Sequence, residues 1–187
     1  VVTDADGDGK ADKSHVFITE RFIRQPPFGI AVFDNKIVLS ATPNMIVYTD
    51  VNRDDSFDPE VDREVIIAKG FHGRSHDHAL HAVVPGPSGK WYVNHGNTGA
   101  DVTMADGRRI HASSYYSHNP ASIGKTSHDG RLYVGGFGMR MDPNGHNAEV
   151  IFQNARNPHA MLVTSFGDIL QADNDDPVHA RAAWVME

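Results

Sequence analysis

The chain contains no cysteine. That removes disulfides, thiolate metal ligation, covalent haem attachment through C-x-x-C-H and a cysteine nucleophile, and it leaves the redox compartment open. No stretch approaches the roughly 18 apolar residues of a membrane-spanning helix, and no charged-then-apolar leader opens the sequence. Positive charge is scarce: 17 Lys and Arg stand against 24 Asp and Glu, a net charge of −7. With no basic run to offset it, this balance argues against a nucleic-acid partner. A sustained helical period is also missing. Residues 177–184 make the best candidate helix, and it is short.

What is present points to strands. Seventeen glycines and ten prolines punctuate short apolar runs, the pattern of β-structure with many turns. A length of 187 residues suffices to bury a core and reads as one domain, residues 1–187, or as part of a larger one. An apolar strand, a short turn and another apolar strand recur at residues 29–43, 81–96, 123–138 and 159–173. The turns carry Asp-Asn, Ser-Gly, Asp-Gly and Phe-Gly, which are hairpin chemistry. Units of this kind at roughly 40–50 residues predict β-propeller blades of four-stranded antiparallel sheets. About four such units fit, and the sequence starts and stops abruptly. The expected fold is therefore all-β, an incomplete part of a six-bladed propeller.

The sequence DADGDGKAD opens the chain with Asp4, Asp6, Asp8 and Asp12 at the spacing of a calcium loop, and Gly9 takes the sixth place. His15 stands where an EF-hand has its bidentate Glu, and residues 16–19 read as a strand rather than a helix. Asp50, Asn52, Asp54 and Asp58 repeat the spacing, with Asp55 at the glycine position. The expectation is that each loop joins two strands of a blade, with calcium held by those eight side chains. A metal-free Asx-rich turn is the alternative.

Twelve histidines are many for this length, and His72, His76, His78, His81 and His95 cluster. His-x-His-x-x-His offers a zinc-type site, since residues two apart share a strand face. Structural histidines are the plainer reading. A histidine also serves as a general base near neutral pH, and Arg156, just before an apolar run, is a candidate to stabilise developing negative charge.

These motifs add up to a resemblance. His78-x7-Gly86-Pro87-Ser88-Gly89-x-Trp91-Tyr92, followed by Gly96-x-x-Gly99, is similar to the H-x7-G-P-D-G-x-L-Y-x-x-x-G-D-x-G block of quinoprotein glucose/sorbosone dehydrogenases. Arg156-Asn157-Pro158-His159-Ala160-Met161 resembles their R-N-P-Q-G-L motif, and the acidic start resembles a planctomycete/verrucomicrobial branch of membrane-bound dehydrogenases. The motifs run in consistent order up to Asp176. The resemblance implies a six-bladed propeller that uses pyrroloquinoline quinone (PQQ) and calcium to oxidise a sugar or alcohol hydroxyl. Electrons would pass to a cytochrome c, in a periplasmic or other extracytoplasmic setting.

Carried over by position, His78 is the base and Arg156 faces the quinone carbonyl. Asn157 and His159 touch the cofactor, and Asp175 and Asp176 fall near the cofactor's calcium. Ser88 and Asn97 replace aspartates, changes expected to alter turn or metal contacts. His159-Ala160 replaces Gln-Gly. The basic residues that later blades give to the cofactor's carboxylates have no counterpart, so activity is expected to need further sequence or another chain that completes the propeller. Two other readings stand beside this one. One is a calcium-dependent propeller lactonase using Asn94, Asn157 and Asp173. The other is a non-catalytic calcium-binding interaction module.

Overall fold

The computed structural model describes residues 1–19, 26–73, 77–114, 122–175 and 179–186. Among them there is no helix. β1 (Val2–Thr3) and β2 (Lys13–Ser14) form a small hairpin closed by the first acidic loop. β3 (Gly29–Phe33), β4 (Lys36–Ala41), β5 (Asn44–Thr49) and β6 (Arg63–Phe71) follow as an antiparallel meander. β7 (Leu80–Pro85) and β8 (Trp91–His95) begin a second sheet.

The chain then leaves that sheet. β9 (Ala100–Met104), β10 (Arg109–Ser113) and β11 (Tyr133–Val134) extend the first sheet across β6 to seven strands. It returns as β12 (Gly136–Met141) and β13 (Glu149–Ala155), giving the order β13-β12-β8-β7. β14 (Asn157–Val163), β15 (Ile169–Asp175) and β16 (His179–Val185) make a third sheet.

The all-β propeller-type expectation holds. Two four-stranded antiparallel blades, β3–β6 and β7-β8-β12-β13, stand beside a three-stranded one, and among the described residues they do not close a ring. The hairpins expected at 29–43, 81–96 and 159–173 are present. The unit at 123–138 is not. Residues 123–127 form no strand, and Tyr133–Val134 pairs in parallel with β10 while Gly136–Met141 joins β8 and β13. A local Asp-Gly turn signal cannot say which sheet receives each arm. Residues 179–185, which overlap the candidate helix, are strand β16: alanine is the best helix former, but pairing with β15 along the whole strand outweighs it.

The first blade is apolar on both faces. Val38, Met45, Val47 and Ile67 face the second blade, sharing a core with Leu80, Val93, Phe137 and Met139. Leu39, Ala41, Ile46 and Tyr48 point the other way and are covered by Phe17, Ile18 and Phe57. This explains why residues 16–19 form no strand: Phe17 O accepts the Phe57 N–H (2.9 Å), and the rings of Phe17, Phe57 and Tyr48 pack in a row, so the segment caps a sheet face rather than joining a ladder. The third blade packs Met161 and Ile169 against Tyr92. Its opposite face shows an in-register row of Leu162, Leu170 and Trp184, all exposed. Each fully buried side chain of this size contributes about 1.5–3 kcal/mol.

Candidate functional site

Phe28, His78 and Arg156 each lie just before the first strand of a blade: β3, β7 and β14 respectively. Those strand starts meet at one end of the molecule. A Cβ on Gly29 would lie 2.1 Å from His81 O, and His81 Nδ1 is 3.0 Å from Pro158 O. His78 and Arg156, 78 positions apart in the chain (156 − 78), therefore lie near neighbouring strand starts.

His78 is buried, and its Nδ1 donates to Asn97 Oδ1 at 2.6 Å. A carboxamide oxygen only accepts, so Nδ1 carries a ring proton. Asn97 N donates to Arg156 O at 2.8 Å. Asn97 thus ties the His78 ring to the Arg156 backbone, beyond the turn or metal contact expected of it. The bridge depends on a close approach: a Cβ on Gly96 would lie 2.6 Å from the His78 backbone, and Thr98 Oγ1 donates to His78 O at 2.6 Å.

Arg156 is held at both ends. Its N–H points at the buried Asp173 carboxylate (3.2 Å), and its Nη1 donates to Asn174 Oδ1 at 2.8 Å. Asn157 N donates to Asp173 Oδ1 at 2.7 Å, and Arg181 Nη2 pairs with Asp173 Oδ2 at 2.8 Å. Asn157 Oδ1 is buried without a partner. Its environment can therefore take one further donor. His159 is exposed, with its ring 4.6 Å from that of His81 and 6.5 Å from Phe28.

The histidine cluster is not a metal site among the described residues; His76 lies outside them. His81 Nε2 meets Asp77 O, and burial pushes its pKa down. His95 is stacked between Phe71 and Phe137 (centroids 5.5 Å on each side). Its ring nitrogens face Gly96 O and His72 O, yet burial outweighs both carbonyls and lowers its pKa to about 4. These are structural histidines, and imidazole spacing alone could not separate them from ligands.

The acidic loops share one backbone design. Asp4 accepts N–H groups from Gly7 (2.7 Å) and Gly9 (2.8 Å), and these hold its pKa below the usual carboxylate range. Asp50 accepts from Arg53 (2.6 Å) and Asp55 (3.0 Å) at the equivalent places. All four donors have positive φ. The loops also touch, through His15 Nε2 and Asp55 O at 2.8 Å.

Only the first loop gathers carboxylates. Asp4, Asp6 and Asp8 offer oxygens within 4.8 Å of one another, whereas Asp50, Asp54 and Asp58 form no such group. Asp12 Oδ2 instead accepts Ala5 N at 2.7 Å. Asn52 Nδ2 donates to Asp54 Oδ2 at 2.9 Å, and Asp58 Oδ1 accepts Glu60 N at 2.9 Å. The second loop does join β5 to β6, as expected, whereas the first closes its own hairpin outside the blades.

Asp176 and the Asp175 side chain lie outside the described residues. Of the lactonase set, Asn94 Oδ1 accepts Ala82 N at 2.9 Å and Asp173 is taken by main-chain N–H groups and Arg181, whereas Asn157 Oδ1 has no partner. Sequence reasoning missed Arg181 and the use of Asp173. The available signal was Arg-Asn-Pro, which opens a strand with N–H groups that need an acceptor where proline interrupts the ladder.

Fold and site define an all-β, propeller-type protein in which Asn97 links the His78 ring to the Arg156 main chain near the starts of two blades. Over residues 1–185 the chain matches the family described as Domain of unknown function (DUF7133), and it belongs to that family. No curated protein matches it. Among the described residues, no helix is long and apolar enough to cross a membrane.

Proposed function

We propose that this chain carries the catalytic part of a quinone-dependent dehydrogenase acting on a sugar or alcohol hydroxyl. The observation that supports the reading is the bridge His78–Asn97–Arg156, in which Asn97 ties the His78 ring to the main-chain carbonyl of Arg156 across two blades. The residues suit PQQ in kind: the Arg156 guanidinium can donate to a quinone carbonyl, and the buried, unpartnered Asn157 Oδ1 can accept an N–H. Asn157 and His159 would hold the cofactor. When bound, the quinone supplies a two-electron acceptor. His78 Nε2 takes the proton of the substrate hydroxyl, and Asn97 keeps the ring turned for that transfer. Arg156 stands as the fixed positive charge against negative charge that develops as the alcohol carbon is oxidised. Asn97 is neutral, so it orients the imidazolium without adding a counter-charge.

The test uses the intact polypeptide loaded with PQQ. Dye reduction dependent on an added alcohol or aldose is expected. No reduction with PQQ demonstrably bound would sink the reading. Lactone hydrolysis without quinone would favour the lactonase, and a cytochrome c reduced in place of the dye would extend the reading to the acceptor.

A second reading has its own observation, the Asp4–Asp6–Asp8 cluster. Three carboxylates this close repel one another, and the exposed Lys10 ammonium reaches Asp8 at 3.6 Å, so a bound cation would relieve the remaining repulsion. The loop would then bind calcium and stiffen the first hairpin against the second loop. Calorimetric titration should find a calcium site that Asp6→Ala with Asp8→Ala removes, and chelation should lower the melting temperature of the parent only. Equal stoichiometry in both proteins would show that the loop holds no cation.

A further inference from the structure

We infer that Asp173, backed by Arg181, is a positioning residue that sets Arg156 and, through Asn97, His78. The functional meaning rests on the dehydrogenase reading of those two residues, but the placement does not. Asp173 sits near the end of β15, and only 3% of it is exposed. Its carboxylate accepts Arg156 N (3.2 Å to each oxygen), Asn157 N (2.7 Å) and Arg181 Nη2 (2.8 Å). The need for it arises in β14. Pro158 has no N–H, and the register slips between Pro158 and Ala160, so the two preceding N–H groups turn to a side chain.

Asn174, the next residue, takes the Arg156 guanidinium at 2.8 Å. Consecutive residues of one strand therefore hold both the main chain and the head group of Arg156. Its carbonyl then accepts Asn97 N (2.8 Å), and Asn97 Oδ1 accepts His78 Nδ1 (2.6 Å). The chain of contacts starts at Arg181, whose side chain is half exposed and lines, with Asp173, Gln171 and Phe152, a cavity of about 170 Å³. A buried carboxylate that loses its cation is left uncompensated. Removing Arg181 therefore loosens the far end of the chain without entering the site.

Arg181→Met in the full-length protein tests this, read by amide hydrogen exchange and histidine ¹⁵N spectra. Exchange at the amides of Asn97, Arg156 and Asn157 should rise at least about tenfold while core amides of β4 and β5 keep their protection. His78 should lose its single Nδ1–H tautomer, and Arg181→Lys should restore both signals. Asp173→Asn, which sets an amide donor against main-chain donors, should show the same pattern more strongly. With PQQ loaded, kcat should fall about tenfold or more with KM nearly unchanged. Unaltered exchange at the three amides, or a uniform rise throughout the fold, would overturn the inference. The expected exchange pattern in a protein that oxidises no alcohol would uphold the positioning and discard the dehydrogenase reading.

Discussion

Replacing His78 with glutamine should lower alcohol-dependent turnover of the PQQ-loaded protein by about two to four orders of magnitude, the usual worth of a positioned general base. Glutamine can still donate to Asn97 Oδ1, so the bridge to Arg156 survives the change. The Thr98 Oγ1 bond goes to the carbonyl of residue 78 and is indifferent to the side chain. What is lost is a lone pair basic enough to hold the hydroxyl proton. Melting temperature and quinone affinity are therefore expected to stay close to those of the parent. Steady-state dye reduction, with quinone content measured by absorption, decides the matter, and a rate equal to the parent's would remove His78 from the chemistry.

Acidification should destabilise the fold through His95. In the unfolded chain its pKa is near 6.5; in the fold, burial between two phenyl rings brings it to about 4. The folded state then binds fewer protons than the unfolded one between those values. The stabilisation is complete above the unfolded pKa and is lost as pH falls towards the folded one. At 1.36 kcal/mol per unit, the loss from this residue alone approaches about 3 kcal/mol. His72 and His81, also pushed down by burial, act in the same direction. Urea unfolding of the parent and His95→Gln from about pH 7.5 to about pH 4.5 isolates the contribution of His95. The parent should lose more stability than the variant by about 2–3 kcal/mol. Parallel pH profiles would mean that His95 carries its proton within the fold.

Much of the architecture was legible because it is local. Asp34-Asn35 and Phe166-Gly167 close the hairpins their chemistry predicts, and Asp34 takes the positive φ such a turn requires. The doubled acidic loop was equally plain, including the turn at its sixth place, while the left-handed backbone at its fourth place came from the structure. Arg53 and Asp55 occupy those places in the second copy without the help of glycine. The place of Arg156 at the entrance to a blade's first strand was legible as well.

Sequence alone determined the all-β class, most hairpins and the candidate base and cation, because period, turn chemistry and residue type act over a few neighbouring positions. Tertiary structure decided the rest. It assigned residues 16–19 to cover a sheet rather than extend one, sent β9–β11 to the first blade, and gave Asn97 and Asp173 their duties. Those outcomes depend on which N–H groups and apolar faces remain unsatisfied once the strands have paired, and a linear pattern does not contain that information.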